Sequence, residues 1–158
     1  GNSPLEYTPG RVAGKVVVFT TTNGTQALLA ASRAQAAVVC ALVNVPAVAR
    51  WAAAQGRDLA VICAGQSGEL SLEDSVCAGM LLDRIAESGV PIEASDAARA
   101  ARVLSAHYRD RLDRLLADSE WARRLAQTRR ADDLAACLRV GTLRDLPLLR
   151  DGAISRLP

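Results

Sequence analysis

Aromatic residues are scarce in this chain, at 3% of its 158 residues, and Lys15 is its only lysine. Few aromatic side chains leave little surface on which nucleic-acid bases could stack. The 19 basic residues are nearly balanced by 17 acidic ones, so the net charge of +2 does not indicate a phosphate-backbone partner. No apolar run approaches the roughly 20 residues that a membrane span needs. We therefore expect no nucleic-acid partner and no membrane anchoring.

Cysteines are few, and none of them has the Cys-x-x-Cys spacing of a zinc or redox motif; they are Cys40, Cys63, Cys77 and Cys137. Isolated cysteines in mostly apolar surroundings predict reduced thiols and a cytoplasmic protein. The N-terminus has neither an initiating methionine nor the pattern of a signal peptide. We expect that the sequence begins partway through a longer protein.

Hydrophobic patterning predicts an α/β fold. Three continuous apolar runs are typical of buried strands, and they cover residues 16–21, 37–42 and 59–64. Helical patterns separate these runs at 25–33 and 46–55, which favours a mainly parallel sheet in a three-layer α/β/α arrangement. No further strand is predicted after residue 64, and helices follow at 71–88, 95–106, 108–117, 119–127 and 131–140. We expect a single α/β domain over 1–158, with a strand-rich half at 1–70 and a helical half at 71–158.

The first predicted strand runs into a segment rich in hydroxyl and amide groups. Thr21, Thr22, Asn23, Gly24 and Thr25 stand where this strand gives way to a helix. Free amide groups at a helix start and the helix dipole favour an anion such as a phosphate or sulfonate. The alternative is that Thr22 or Asn23 only caps the helix. The segment is a candidate substrate-binding loop, and capping stays open.

Acidic residues follow the third predicted strand. Glu69, Glu73 and Asp74 come after Gly65 and Gly68, whose lack of a side chain lets the backbone approach a ligand. Carboxylates beside an anion site predict Mg²⁺, since this cation takes carboxylate and phosphate oxygens together. The alternative is a capping box, in which Ser71 and Asp74 satisfy the start of the next helix.

Two covalent routes to phosphate transfer are disfavoured by the sequence. A cysteine phosphatase needs an arginine six residues after its nucleophile, and the residue six positions after Cys63 is Glu69. No Asp-x-Asp follows a predicted strand, so an aspartyl-phosphate route lacks its nucleophile.

These segments together resemble the 2-phosphosulfolactate phosphatase (ComB-like) family. The resemblance rests on residues 1–7, 20–28, 63–74 and 78–79, and it extends to Asp133, Cys137 and Pro147. It implies an α/β/α phosphatase that uses Mg²⁺ to hydrolyse 2-phospho-3-sulfolactate to 3-sulfolactate and phosphate, a step of coenzyme M biosynthesis. At position 26, relatives commonly carry arginine where this chain has glutamine.

The resemblance covers the C-terminal two-thirds of the family, so the N-terminal part of the family fold is expected to be absent from this chain. That part carries an Asp and an Arg expected to belong to the site, and a molecule that begins at Gly1 is expected to have weak or no phosphatase activity. Glu73 and Asp74 are the candidate catalytic residues. These two residues and Glu69 are also the candidate Mg²⁺ ligands. Asn2 and Ser3 are expected to close the pocket. The alternative is a non-catalytic domain that binds anions or forms a homo-oligomer.

Overall fold

The computed structural model describes residues 3–128 and 131–157. The described residues form a short 3₁₀ turn, eight α-helices and three β-strands. In chain order the elements are the 3₁₀ turn Pro4–Glu6, α1 Pro9–Val12, α2 Gly24–Ala31, β1 Ala37–Val38, α3 Val45–Gln55, α4 Leu72–Glu87, α5 Asp96–Tyr108, α6 Leu112–Asp118, α7 Glu120–Ala126, α8 Ala131–Cys137, β2 Pro147–Arg150 and β3 Ala153–Arg156. Helix predominates, and the α/β class is confirmed.

The sheet of the described residues is antiparallel throughout, in the order β1-β2-β3. Ala37 of β1 lies opposite Leu149 of β2, and Leu148 of β2 lies opposite Ser155 of β3. Asp151 and Gly152 connect β2 to β3 with φ values of 50° and 76°. Positive φ at both positions is the pattern of a type I′ turn, whose twist suits a two-residue hairpin.

The prediction of a mainly parallel, three-layer sheet is therefore wrong for the part of the chain that the structure describes. Residues 16–21 and 59–64 form no strand, and of 37–42 only Ala37–Val38 is assigned to the sheet. Val16 and Val18 are 94% and 96% exposed, so this apolar segment has not been buried by neighbouring strands. A strand requires a hydrogen-bonded neighbour, which an apolar run does not itself specify. The prediction also missed β2 and β3.

The hydrophobic core lies around α4, which packs against α3 on one side and α5 on the other. One buried cluster joins Val45 of α3 to Val76 and Met80 of α4, and a second joins Val48 to Leu81 and related side chains. The predicted helices from residue 25 onward are present, with ends shifted by up to four residues. Local periodicity and capping account for this agreement.

Helices α4 and α5 approach closely where α4 carries a glycine. A Cβ atom added to Gly79 would lie 2.1 Å from the carbonyl oxygen of Ala101 and 2.7 Å from the Cβ of Ser105. Only glycine therefore allows the two backbones to come this close. Within residues 3–128 and 131–157, the structure contains no helix with the length and apolar character needed to cross a bilayer.

Candidate functional site

The threonine-rich segment before α2 is held by its own hydroxyl groups. The Thr25 Oγ1 atom accepts a hydrogen bond from the Thr21 amide at 3.0 Å and lies 3.3 Å from the Thr20 Oγ1 atom. A Cβ on Gly24 would lie 2.8 Å from the Thr21 hydroxyl oxygen, so a larger residue would displace this turn. Thr22 remains exposed. The structure thus uses Thr25 to shape the loop and leaves the Thr22 side chain accessible.

Asn23 connects this segment to the loop that precedes α4. It occupies the N-cap position of α2 but makes no side-chain capping bond, so the capping interpretation is wrong for Asn23. Its Nδ2 atom donates to Oε1 of Gln66 at 3.4 Å, and its Oδ1 atom accepts from the Ser67 amide at 3.1 Å. The Asn23 side chain thereby joins two loops that are more than 40 residues apart in sequence.

The loop before α4 closes on itself as a tight turn. Gln66 and Glu69 exchange two backbone hydrogen bonds of 2.9 Å, and Ser67 and Gly68 between them have φ values of 54° and 85°. Gly65 has a φ of 71°, and a Cβ there would lie 2.6 Å from the carbonyl oxygen of Glu69. Gly65 is therefore needed for both its backbone conformation and its close approach to Glu69.

Helix α4 begins at this loop and carries the two candidate catalytic carboxylates. Ser71 caps the helix, its Oγ accepting from the Asp74 amide at 3.2 Å, as the capping box predicts. The other half of the box is not formed, because Asp74 Oδ2 accepts from the Gly65 amide at 2.9 Å instead. Asp74 therefore fixes the loop to the helix.

The Glu73 carboxylate is held at both of its oxygens. Ser71 Oγ donates to Oε2 at 3.0 Å, and the buried Ser119 hydroxyl donates to Oε1. Ser119 lies between α6 and α7, and its role as a partner of Glu73 was not predicted. No local pattern could have indicated it, since the two residues are 46 positions apart.

A cavity of about 420 Å³ lies beside Glu73. Its walls come from residues 66–67 and 69–71 of the loop, from residues 72–73 at the start of α4, and from residues 118–121 and 124, including the unpredicted Trp121 and Arg124. Four carboxylates border it, and Arg124 forms an ion pair of 2.5 Å with one of them, Glu120. An open, mainly acidic cavity suits a cation or a ligand that brings its own counter-ion.

Ser3, which was predicted to close the pocket, lies elsewhere in the structure, against Asp133 of α8. The Ser3 hydroxyl is buried and donates to Oδ1 of Asp133 at 2.5 Å, and it also accepts from the Leu5 amide. Ser3 thereby fastens the N-terminal segment to α8, and it does not line the cavity beside Glu73. Asn2 lies outside the described residues.

The Cys63 thiol is influenced by one of these carboxylates, that of Asp74. Burial raises its pKa, and the negative charge of Asp74 raises it further. The Cys40 and Cys77 thiols interact with each other, and the hydrogen bond from Cys77 holds the pKa of Cys40 below its usual value while the pKa of Cys77 rises. A raised pKa keeps Cys63 in the weakly nucleophilic thiol form at neutral pH, which agrees with disfavouring a cysteine phosphatase.

The described residues contain no group of three or more His, Cys, Asp or Glu side chains placed to hold a metal ion. Magnesium commonly keeps several waters and takes only one or two protein carboxylates together with substrate phosphate. Glu69 and Glu73 both border the cavity, so their oxygen donors suit that sparse kind of site.

Comparison with known proteins identifies one family that the chain resembles along nearly its whole length. The family model described as 2-phosphosulpholactate phosphatase matches residues 1–152. A protein of Symbiobacterium thermophilum is 42% identical over 97% of this chain and 66% of its own length, and one of Caldanaerobacter subterraneus is 35% identical over 97% and 63%. A protein of Gloeobacter violaceus is 38% identical over 93% and 61%. All three are named "Probable 2-phosphosulfolactate phosphatase".

The chain spans less than two thirds of the length of each of these three relatives. The match nevertheless includes the threonine-rich segment, the turn at Gly65 and the start of α4. By sequence, this chain belongs to the 2-phosphosulfolactate phosphatase family.

Proposed function

We propose that this protein is a phosphatase that hydrolyses 2-phospho-3-sulfolactate or a similar small phosphorylated acid, releasing inorganic phosphate. The supporting observation is the contact of Asn23 with Gln66 and Ser67. This contact brings the predicted anion-binding segment to the loop that also carries Gly65, Gly68 and Glu69. The relatives' names supply the substrate class.

In this proposal the substrate lies between the start of α2 and the cavity beside Glu73. The Thr22 hydroxyl and the free amides at the start of α2 bind the anionic groups, since amide donors and the helix dipole favour negative charge. Thr21, Gly24 and Thr25 shape this loop, and Gly65 and Gly68 let the opposite loop approach the ligand. Donors fixed in advance around an oxyanion stabilise charge that develops on phosphate oxygens during reaction.

Magnesium is part of the proposal. Glu73 and Glu69, with Asp74 holding the loop between them, would be the residues that retain it. When bound, Mg²⁺ would neutralise phosphate oxygens and lower the pKa of a coordinated water. A cytoplasmic location, predicted from the isolated cysteines, and a place in coenzyme M biosynthesis, which the resemblance implies, both stay predictions.

Phosphate release from 2-phospho-3-sulfolactate, measured with and without Mg²⁺, tests the proposal. We expect turnover that is abolished by a chelator and restored by Mg²⁺. Glu73→Gln should lower kcat about 100-fold or more, which is the scale of losing a group that acts on the reacting atoms. The matched control is Glu87→Gln, because Glu87 lies at the far end of α4 and pairs with Arg84 on the surface.

Asn23→Ala provides the second arm of the test. It removes the link between the two loops but no capping bond of α2, so helix content by circular dichroism should not change while KM rises. Unchanged kinetics for both Glu73→Gln and Asn23→Ala would refute the proposed site. Turnover that persists in the presence of chelator would refute the role of magnesium alone.

The second candidate function is a non-catalytic domain that binds anions or assembles with copies of itself. The observation that favours it is the exposure of apolar side chains before α2, where Val16 and Val18 are almost fully exposed and Phe19 is 56% exposed. Apolar patches of this kind are typical of interaction surfaces. This candidate would be favoured over the phosphatase if phosphate alone raised the melting temperature, if light scattering showed self-association, and if no substrate turnover were detected.

A further inference from the structure

Ser119 is one of the most deeply buried side chains of the described residues, at 2% exposure. It ends α6 and begins α7, and its Oγ accepts a hydrogen bond from the Ala122 amide at 3.0 Å. A hydroxyl that accepts from an amide still has its own proton to donate. That proton goes to Oε1 of Glu73, on a different helix.

The second oxygen of Glu73 has an equivalent partner. Ser71 caps α4 by accepting from the Asp74 amide, and its hydroxyl donates to Oε2 of Glu73 at 3.0 Å. Two helix-capping serines therefore donate one hydrogen bond to each oxygen of the same carboxylate. Because both hydroxyls are tied to backbone amides, neither can rotate freely, and the orientation of the carboxylate is fixed.

Helix capping alone does not require this arrangement. Ser95 caps α5 in the same way, accepting from the Ala98 amide at 3.3 Å, and it is exposed at the surface. Ser119 differs because it is buried, borders the cavity, and donates to a carboxylate that borders the same cavity. Both edges of the Glu73 carboxylate plane are restrained while the group remains half-buried.

We propose that Ser119 is a positioning residue of the phosphatase site, which holds the Glu73 carboxylate in its working orientation. This inference rests on the proposed function, and it extends the site to the α6–α7 junction, which neither the sequence patterns nor the relatives' names indicate. Hydrogen-bonded supports of functional carboxylates affect activity by about 10- to 100-fold.

Ser119→Gly tests the inference, since glycine is tolerated at a helix N-cap but provides no hydroxyl. We expect kcat to fall about 10- to 100-fold with little change in KM. Ser95→Gly is the matched control and should leave both parameters unchanged. Ser119→Cys, which keeps the volume and a weak donor, should fall between the wild-type protein and Ser119→Gly, and it carries the test if Ser119→Gly does not fold.

A double-mutant cycle separates positioning from general structural support. If Ser119 acts through Glu73, then Ser119→Gly in a Glu73→Gln background should lower kcat no further, because effects of coupled residues are not additive. An equal further loss in that background, or wild-type kcat for Ser119→Gly, would overturn the inference and leave the proposed function standing. Absence of turnover by the wild-type protein would overturn both.

Discussion

The Asp74 carboxylate accepts a hydrogen bond from the backbone amide of Gly65 at 2.9 Å, and this contact fixes the first turn of α4 to the loop before it. Asp74 was expected to cap its own helix or to bind a metal ion. Because Asp74 belongs to α4 and bonds to Gly65 of the loop, a displacement of the loop backbone at Gly65 would act directly on the first turn of α4.

The conformation of Gly65 gives the first prediction. Gly65→Ala should lower the free energy of unfolding by about 2–4 kcal/mol, because left-handed strain adds to overpacking against Glu69. Gly68→Ala is the control, since its φ is also positive but a Cβ there meets no atom within 4 Å. Gly68→Ala should lower the free energy of unfolding by only about 1 kcal/mol. Denaturant unfolding of both variants measures the difference, and equal losses would contradict the close approach at Gly65.

The charge of Asp74 gives a prediction for Cys63. Burial and this negative charge both raise the pKa of Cys63, so Asp74→Asn should lower that pKa and increase the thiolate fraction at a given pH. Alkylation of Cys63 by iodoacetamide at pH 8 should then accelerate, by less than about tenfold because burial persists. Mass spectrometry of the labelled peptide gives the rate.

Asp133→Asn is the matched control for this measurement. Burial and the charge of Asp133 raise the pKa of Cys137, so this variant should accelerate labelling of Cys137 and leave Cys63 unchanged. If Asp74→Asn left the Cys63 rate as in the wild type, the assumed electrostatic contact would be wrong.

The Tyr108 hydroxyl donates to Oδ2 of Asp118 at 2.9 Å. This hydrogen bond, with help from Arg114, holds the pKa of Asp118 below its usual value. A carboxylate whose pKa is lower in the folded state stabilises the protein above its unfolded pKa and loses that contribution as the pH falls through the folded value. Tyr108→Phe should therefore be destabilising at pH 7, and the difference from the wild type should shrink below about pH 4.

Thermal unfolding across this pH range checks the prediction. In an Asp118→Asn background, the effect of Tyr108→Phe should no longer vary with acidic pH. The pKa of Tyr108 is raised by the same hydrogen bond, so its stabilising contribution should also be lost as the pH rises through that raised value. A wild-type advantage that is constant from pH 3 to neutral pH would exclude the contact.

The buried pair Ser3 and Asp133 gives a prediction about the N-terminal segment. Ser3→Ala removes a donor from a carboxylate that is only 8% exposed, and it should cost about 1–3 kcal/mol. Ser95→Ala removes only an exposed cap and should cost about 1 kcal/mol. Denaturant unfolding compares the two, and a smaller loss for Ser3→Ala would show that Asp133 finds another donor.

Helices were predictable from the sequence because their signals are local. The capping serines Ser71, Ser95 and Ser119 and the spacing of apolar residues indicate where α4, α5 and α7 begin. Strands depend on partners elsewhere in the chain, so the apolar runs at 16–21 and 59–64 were misassigned. The β2–β3 hairpin did carry a signal, since Asp-Gly at 151–152 is a strong hairpin pattern, but β2 begins with proline and both strands end with arginine.

The candidate site was predictable only in part, for the same reason. Reasoning from strand ends brought Asn23, Gly65 and Asp74 to one place, and the structure joins their loops by hydrogen bonds. Ser119, Trp121 and Arg124 come from a distant part of the chain. Their approach to Glu73 follows from the packing of helices against each other, which no short motif encodes.

The backbone contact at Gly79 has a consequence for how ligands can be accommodated. With α5 pressed against α4 at van der Waals distance, the helix that carries Glu73 and Asp74 cannot shift without separating two close-packed surfaces. The threonine-rich segment is not supported by close packing of this kind, since the residues before it in sequence, 16–19, are largely exposed. In the proposed phosphatase site, we therefore expect any adjustment to substrates of different size on the Asn23 side, while the carboxylate side stays stationary.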